Sequence, residues 1–312
     1  MKKNNMELNK ISTNIYKNHL KNYQHNIIME TTSTNNNMNN NCKIKKCFGI
    51  NMYYNVVTLQ QKKILLKENK YTSPLLMAIC NRKDDEYTIK YDEEVGKKIY
   101  TKYGNMSYDM ISKYGWKTNN HLFEIIPKGH CHKLYFDIDK RFESDENNDL
   151  IIQTIIDLIK DVMKIDITNY ITMCKGKGTR DDYIKVSYHM IINNGFYFKN
   201  MEDAKKVFKI LNFNVIKDNK YDCLRNGVLD FNVYKNNQAF KLPYNSKAFK
   251  NIIQTPINHK STLKDFLLTN VIENPQYYNV DKYNEIDVQP KIIKCASGKS
   301  MKLNFDEALI FK

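Results

Sequence analysis

The stretch that decides the fold is GHCHKLYFDIDKRFE, residues 129–143, where an apolar run ends in two aspartates one residue apart. In a β-strand, residues two apart point to the same face of the sheet. Leu134, Phe136 and Ile138 therefore form an apolar face, and Asp137 and Asp139 end the opposite face. Two like charges this close are unfavourable unless a cation lies between them. The pattern predicts a buried strand that ends either in solvent or at a divalent cation.

The segments that follow alternate between helix and strand patterns. Apolar residues three and four apart predict amphipathic helices over 150–164 and 200–212, the second capped by Asn200. Strands are predicted over 169–174, 183–192, 226–234 and 238–244, with a polar loop, KGKGTRDD, over 175–182. The order strand, helix, strand, strand, helix, strand indicates the α+β class, with a mostly antiparallel sheet and helices on one face.

The rest of the chain divides by composition. We expect residues 1–45, which are rich in Asn and Lys, to be disordered. Residues 46–128 form an N-terminal α/β module, with a helix pattern over 55–69, one or two short helices over 92–116 and a short strand over 121–126. Residues 129–260 form the core. Residues 261–312 form a C-terminal extension with one short helix, over 262–270.

The charge balance indicates a polyanionic partner. The net charge is +15, which favours nucleic acid first and an anionic membrane second. Only four of the 49 basic residues are arginine, so A/T-rich codons explain part of this charge. The seven cysteines are widely spaced without a C-x-x-C, which indicates reduced thiols in an intracellular compartment and argues against a disulfide framework. We expect no membrane span and no secretory signal.

Two further stretches place polar residues where strands should be apolar. In KVSYHM, the alternation puts Lys185, Ser187 and His189 on one face, as a row of donors for phosphate oxygens. In LDFNVYKNNQAFKLPYNSK, Asp230 follows an apolar run, Lys241 points away from the neighbouring apolar side chains, and Lys247 follows a turn.

Together these residues supply what nucleotidyl transfer requires. Asp137, Asp139 and Asp230 could hold two Mg²⁺ or Mn²⁺ ions, which in such enzymes lie about 3.5–4 Å apart. The cationic and hydroxyl side chains could bind a triphosphate and neutralise the departing pyrophosphate. No zinc site is predicted.

Three weaker motifs suggest other kinds of site, and each has a specific argument against it or an alternative. A D-x-D motif alone also occurs in sugar-nucleotide transferases and in calcium loops, but Phe142 and Asn148 stand where a calcium loop needs Gly and Glu. SGKS at 297–300 lacks the upstream glycine of a P-loop, because Ile293 stands there. HCH at 130–132 lacks a second ligand cluster at suitable spacing, so the start of a strand explains it better.

The order and spacing of these motifs resemble the archaeo-eukaryotic primase superfamily, and most of all its primase-polymerase branch, which includes the primases of large DNA viruses. The resemblance runs from about Glu124 to Lys247. LYFDID resembles the first motif of the family and KVSYH the second. The stretch from Asp230 to Lys247 resembles the third motif with its extension, although Lys241 stands where the family usually has arginine.

The resemblance implies an RRM-like catalytic sheet and a two-metal primase-polymerase that copies single-stranded DNA. It makes Asp137, Asp139 and Asp230 the metal ligands. It makes Ser187 and His189 residues that bind the phosphates of an NTP or dNTP. The lysines that complete this binding site are Lys185, Lys241 and Lys247. It also implies a separate helicase or accessory replication protein as a partner. Two alternatives stay open, namely a non-catalytic nucleic-acid-binding protein on the same fold and a sugar-nucleotide transferase.

Overall fold

The computed structural model describes residues 41–142, 149–180 and 183–283, together with two short strands at 293–294 and 300–301. The segment predicted to be disordered, 1–45, lies mostly outside the described residues. Its end is corrected, because the chain forms a strand from Cys42 onwards. The strands are β1 (Cys42–Cys47), β2 (Ile50–Asn55), β3 (Glu86–Val95), β4 (Lys98–Ser107), β5 (Leu122–Ile126), β6 (Leu134–Phe142), β7 (Ile171–Arg180), β8 (Tyr183–Ile192), β9 (Phe196–Tyr197), β10 (Gln238–Lys241), β11 (Thr255–Pro256), β12 (Gln276–Tyr277), β13 (Ile293–Lys294) and β14 (Ser300–Met301).

Six α-helices lie among the described residues, and none of them is long and apolar enough to cross a membrane. They are α1 (Leu59–Lys67), α2 (Pro74–Cys80), α3 (Tyr108–Tyr114), α4 (Asp149–Met163), α5 (Met201–Lys217) and α6 (Leu263–Phe266). The two predicted helices of the core are present as α4 and α5. Asn200 caps α5, because its side chain accepts a hydrogen bond from the backbone N–H of Asp203 at 3.0 Å.

The chain divides into two compact units. The first unit comprises residues 1–84 and 101–105, and the second comprises 85–100 and 106–312. In the first unit, β1 and β2 form an antiparallel hairpin, and β2 pairs with the middle of β4 at Tyr53↔Tyr103. Helix α1 begins in a capping box between Thr58 and Gln61 and buries none of its side chains.

The second unit is built on a four-stranded antiparallel sheet of order β11-β7-β8-β6. Helices α4 and α5 pack on one face of this sheet, where the ring of Phe136 meets that of Phe208 with centroids 5.6 Å apart. The apolar residues of β6 and β8 point into this core, as the alternation predicted. The α+β class with antiparallel strands is therefore confirmed.

A second antiparallel arrangement, β3-β5-β10, belongs to the same unit. The predicted strand around Gln238 exists, but it pairs with β5 instead of joining the sheet of β6 and β8. The predicted antiparallel sheet was therefore wrong in including this strand beside β6 and β8. The strand pairs with β5 because the two strands share a buried row of residues, in which Phe240 lies opposite Glu124.

Three predicted segments have a different structure. Residues 92–107, predicted as helical, complete β3 and form β4, joined by a turn in which Gly96 has a φ of 58°. Only 108–114 is helical there, and β4 buries every second residue from Lys102 to Met106, which is the period of a strand. A loop was predicted at 175–182, but residues 175–180 are the second half of β7, and residues 181–182 lie outside the described residues. The strand predicted over 226–234 is a single bridge at Leu229 followed by a 3-10 turn over Phe231–Val233.

Candidate nucleotide and metal site

One cavity of about 250 Å³ in the second unit collects all eight residues that the sequence proposed as a site. It opens on the face of the β6–β8 sheet opposite to helices α4 and α5. The residues are Asp137, Asp139, Asp230, Lys185, Ser187, His189, Lys241 and Lys247. Because they come from three separate stretches of sequence, the fold itself brings them together.

The register of the strands explains how the acidic residues meet. Across β6 and β8, Asp137 lies opposite His189 and Asp139 lies opposite Ser187. On the other edge of β6, the bridge between Ile138 and Leu229 places Asp230 beside Asp137, and the N–H of Asp230 donates to the carbonyl of Asp137 at 3.0 Å. The three aspartates therefore lie on neighbouring backbone positions around the middle of β6, and all three line the cavity.

Two tyrosines fix the turn that carries Asp230. The hydroxyl of Tyr135 donates to the carbonyl of Val233 at 2.9 Å, and the hydroxyl of Tyr234 donates to the carbonyl of Tyr135 at 2.5 Å. Both side chains are buried. The side chain of Asp230 also accepts from the N–H of Asn232 at 2.9 Å, which begins the 3-10 turn.

Two basic side chains of the site, Lys185 and His189, lie close to the acids. The Nζ atom of Lys185 lies 2.5 Å from Oδ2 of Asp139, and Nε2 of His189 lies 3.8 Å from Oδ1 of Asp137. Lys185 and a metal ion would compete for the same oxygen of Asp139. In the described part of the chain, no three side chains of His, Cys, Asp or Glu already form a group that could hold a metal ion.

Asp137 nevertheless has the properties of a cation ligand. Burial raises its pKa to about 7, and the neighbouring charges of Asp139 and Asp230 add to this effect. Its Oδ1 atom is buried and has no hydrogen-bond partner. Oxygen ligands of this kind suit Mg²⁺ or Mn²⁺. The donor set therefore fits a hard divalent cation, provided that the ion pair between Lys185 and Asp139 breaks.

The raised pKa of Asp137 predicts that Asp137→Asn stabilises the metal-free protein at pH 8. The folded pKa lies above the unfolded one, so stability present below about pH 4 is lost as the pH rises through 7. The side chain is 23% exposed, which reduces the gain to about 1–2 kcal/mol, or about 5 °C in Tm. Thermal melting in EDTA measures it, with exposed Glu273→Gln as the control. A variant less stable than wild type at pH 8 contradicts it.

His189 is held as a buried, neutral side chain. Its ring packs on Phe240 with centroids 4.2 Å apart. Burial lowers its pKa, the charges of Lys241 and Lys247 lower it further, and a hydrogen bond with the backbone of Lys241 opposes them. His189 is therefore a fixed hydrogen-bonding group and does not add a positive charge to the site at neutral pH.

Lys241 is the last residue of β10, Lys247 lies in the segment after it, and both line the cavity. Lys241 is buried, and its pKa is lowered to about 8 by burial, by Lys247 and by Lys185, while Asp137 and Asp139 oppose this. Buried Asn245 holds the segment, since its amide donates to the carbonyl of Gly115 at 2.8 Å and its Oδ1 accepts from Leu122 N–H at 3.0 Å.

The sequence reasoning missed a strap over 252–254 that closes one side of the site. Buried Gln254 donates from Nε2 to Oγ of Ser187 at 3.0 Å, and Ile252 lines the cavity. The strap crosses β7 at Gly176 and Gly178, where an added Cβ would lie 2.8 and 2.4 Å from the side chain of Ile252. Glycines two apart in a strand indicate such a close approach, so KGKG could have revealed it.

This close approach predicts that Gly178→Ala destabilises the protein. The new methyl group must displace Ile252, and overpacking of this kind costs about 1–3 kcal/mol. Urea unfolding of Gly178→Ala, Ile252→Ala and the double variant measures the effect. We expect the double variant to recover stability relative to Gly178→Ala, because the smaller side chain leaves room for the methyl group. Simple additivity of the two losses would contradict the packing argument.

No family model matches the chain, and no curated protein matches it in sequence.

Proposed function

We propose that the protein is a primase-polymerase that adds nucleotides to a strand copied from single-stranded DNA by a two-metal mechanism. The observation that carries the proposal is one cavity whose lining combines three acidic side chains with a row of donors that could bind phosphate. Carboxylates that line one cavity repel one another, and divalent cations and phosphates bound there would compensate the charges that the ion pair of Lys185 with Asp139 leaves.

In this proposal, Asp137, Asp139 and Asp230 hold the divalent cations. Those cations would activate the attacking hydroxyl and stabilise the leaving oxygen. Lys241 and Lys247 bind the triphosphate and neutralise the charge that develops on the pyrophosphate. Ser187, oriented by Gln254, and His189, fixed against Phe240, contribute hydrogen bonds to the phosphates.

Lys185 changes partner in the proposed reaction. In the structure it neutralises Asp139. If Asp139 held a divalent cation, Lys185 would lose this partner, and the phosphates of a bound nucleotide would then compensate its charge.

The fold supports the proposal at a coarser level. A four-stranded antiparallel sheet with two helices on one face is compatible with the RRM-like core of the archaeo-eukaryotic primases. The basic composition is compatible with a nucleic-acid partner. We propose an intracellular site of action, because the cysteine spacing shows no disulfide pattern. We also propose that a separate helicase or accessory replication protein is a partner.

De novo synthesis on unprimed circular single-stranded DNA tests the proposal. The purified chain is supplied with Mn²⁺ and with NTPs or dNTPs in separate reactions, and labelled products are resolved by length. We expect template-dependent products with at least one nucleotide class. A parallel reaction with a primed template separates initiation from extension. No incorporation on either template by a folded, DNA-binding chain would contradict the proposal.

A second candidate is a non-catalytic nucleic-acid-binding protein on the same fold. It is favoured by the ion pair between Lys185 and Asp139, which satisfies one carboxylate without a metal, and by the lack of a ready ligand group among the described residues. Calorimetric titration with Mn²⁺ discriminates the two candidates. Binding that is lost in Asp137→Asn favours the enzyme, and no binding with or without nucleotide favours the second candidate.

A further inference from the structure

The segment that follows β10 carries an exposed aromatic ring beside the cavity. Phe249 is 48% exposed. It stands between Lys247 and Lys250, both of which line the cavity. The turn is closed by a hydrogen bond of 2.9 Å from the N–H of Lys250 to the carbonyl of Lys247. Phe249 is therefore a half-exposed aromatic residue with a cavity-lining cation on each side of it in the sequence.

The backbone of Phe249 is held in a conformation that a bulky residue rarely adopts. Its φ is 54°, in the left-handed region that favours glycine. The conformation is fixed from outside, because Oε1 of Glu94 accepts from the N–H of Phe249 at 2.6 Å. His121 supports the same carboxylate at 3.2 Å and reaches the carbonyl of Ser246 at 3.2 Å with its other ring nitrogen. A strained, braced position with an exposed aromatic ring is a reason to look for a function.

The surroundings of the ring specify the charge of its partner. Residues 231–264 contain six lysines and no aspartate or glutamate. Two further apolar side chains of this segment are also exposed, Ile253 at 38% and Ile257 at 47%. An aromatic face with lysines on both sides matches a nucleobase with a phosphate on either side of it, which is the repeating unit of a single strand.

We propose that Phe249 is a stacking platform for a base of single-stranded nucleic acid at the mouth of the cavity, and that Lys250 binds a neighbouring phosphate. The inference rests on the proposed function for the identity of the strand as a template. Its energetics do not depend on catalysis, because stacking on an aromatic ring needs neither metal nor nucleotide.

Fluorescence anisotropy of the full chain in EDTA tests the proposal. The probes are a labelled oligothymidylate of about 12 nucleotides and an abasic strand of the same length. We expect Phe249→Ala to bind the oligothymidylate about tenfold more weakly and the abasic strand with unchanged affinity. Phe249→Trp should retain wild-type binding. Lys250→Gln should weaken both complexes and reduce the salt slope of log K by about 0.7.

Tyr170→Ala is the matched control, since Tyr170 is an aromatic residue of the same 48% exposure on the 3-10 turn Thr168–Tyr170. It should bind both strands as the wild type does. Unchanged binding of the oligothymidylate by Phe249→Ala would overturn the proposal, and so would an equal loss on both strands. A loss confined to titration with dTTP would also overturn it, by assigning the ring to the mononucleotide. Because these arms measure binding without synthesis, a chain that fails as a polymerase can still pass them.

Discussion

Asp137→Asn and Asp139→Asn should each reduce nucleotide incorporation by about 10³-fold or more, while single-stranded DNA binding stays within about twofold of the wild type. Each substitution keeps the shape of the side chain and removes one negative charge from the cavity that Asp137, Asp139 and Asp230 line. Strand binding is expected to persist because it depends on lysines outside this acidic group. Primer extension with Mn²⁺ and anisotropy on the same preparations measure the two effects.

The matched control for these variants is Glu273→Gln, which removes a carboxylate from an exposed turn away from the cavity lining. It should extend primers at the wild-type rate. Asp230→Asn should lose as much activity as the other two variants, because Asp230 is the third proposed metal ligand and lines the same cavity. Wild-type extension by Asp137→Asn or by Asp139→Asn would refute the assignment of the metal ligands.

The alternation of side chains between the two faces of a single strand could be predicted from the sequence. The opposite faces of Phe136 and Asp137 on β6, and of Tyr188 and His189 on β8, follow from the period of two. The helices α4 and α5 follow from apolar spacing and, for α5, from the Asn200 cap. These features depend on residues close to one another in the chain, which is the range over which a sequence pattern is informative.

The pairing of strands from distant segments could not be predicted from the sequence pattern. Nothing local to Gln238–Lys241 says that it pairs with β5, because that choice depends on the buried partners it finds there. The segment 92–107 was predicted as helix, since its short apolar spacings fit both periods and only the turn at Gly96 separates the two strands. The strap at Ile252 was hidden because its contact with Gly178 joins residues far apart in sequence.

The same distinction applies to the site. The side chains of Lys185, Ser187 and His189 could be grouped from one strand, and the structure places them in one cavity with the three aspartates. The ion pair between Lys185 and Asp139 could not be foreseen, since it depends on the register Asp139↔Ser187 between β6 and β8. Nor could the exposed ring of Phe249, whose backbone is braced by Glu94 more than a hundred residues earlier.

Lys241 predicts a pH dependence of the activity that a single substitution should remove. Burial and the neighbouring charges lower its pKa to about 8, so the phosphate-binding charge is present below this pH and is lost above it. In the wild type, kcat/KM should therefore fall about 20-fold between pH 7.5 and 9.5. Lys241→Arg keeps its charge over this range and should hold kcat/KM nearly constant, while Lys241→Ala should lose about 100-fold at pH 7.5.

Two features make the comparison of wild type with Lys241→Arg specific. Lys133 also has a pKa lowered to about 8, but it lies in a separate buried group with Glu124, so its titration is the same in both proteins. Lys260→Arg, at an exposed position outside the cavity lining, should keep the wild-type alkaline decline. Primer extension over the pH range, with circular dichroism to show that the fold is retained, measures the difference. If Lys241→Arg declines as steeply as the wild type, another group controls the alkaline limb and Lys241 does not bind the triphosphate through its charge.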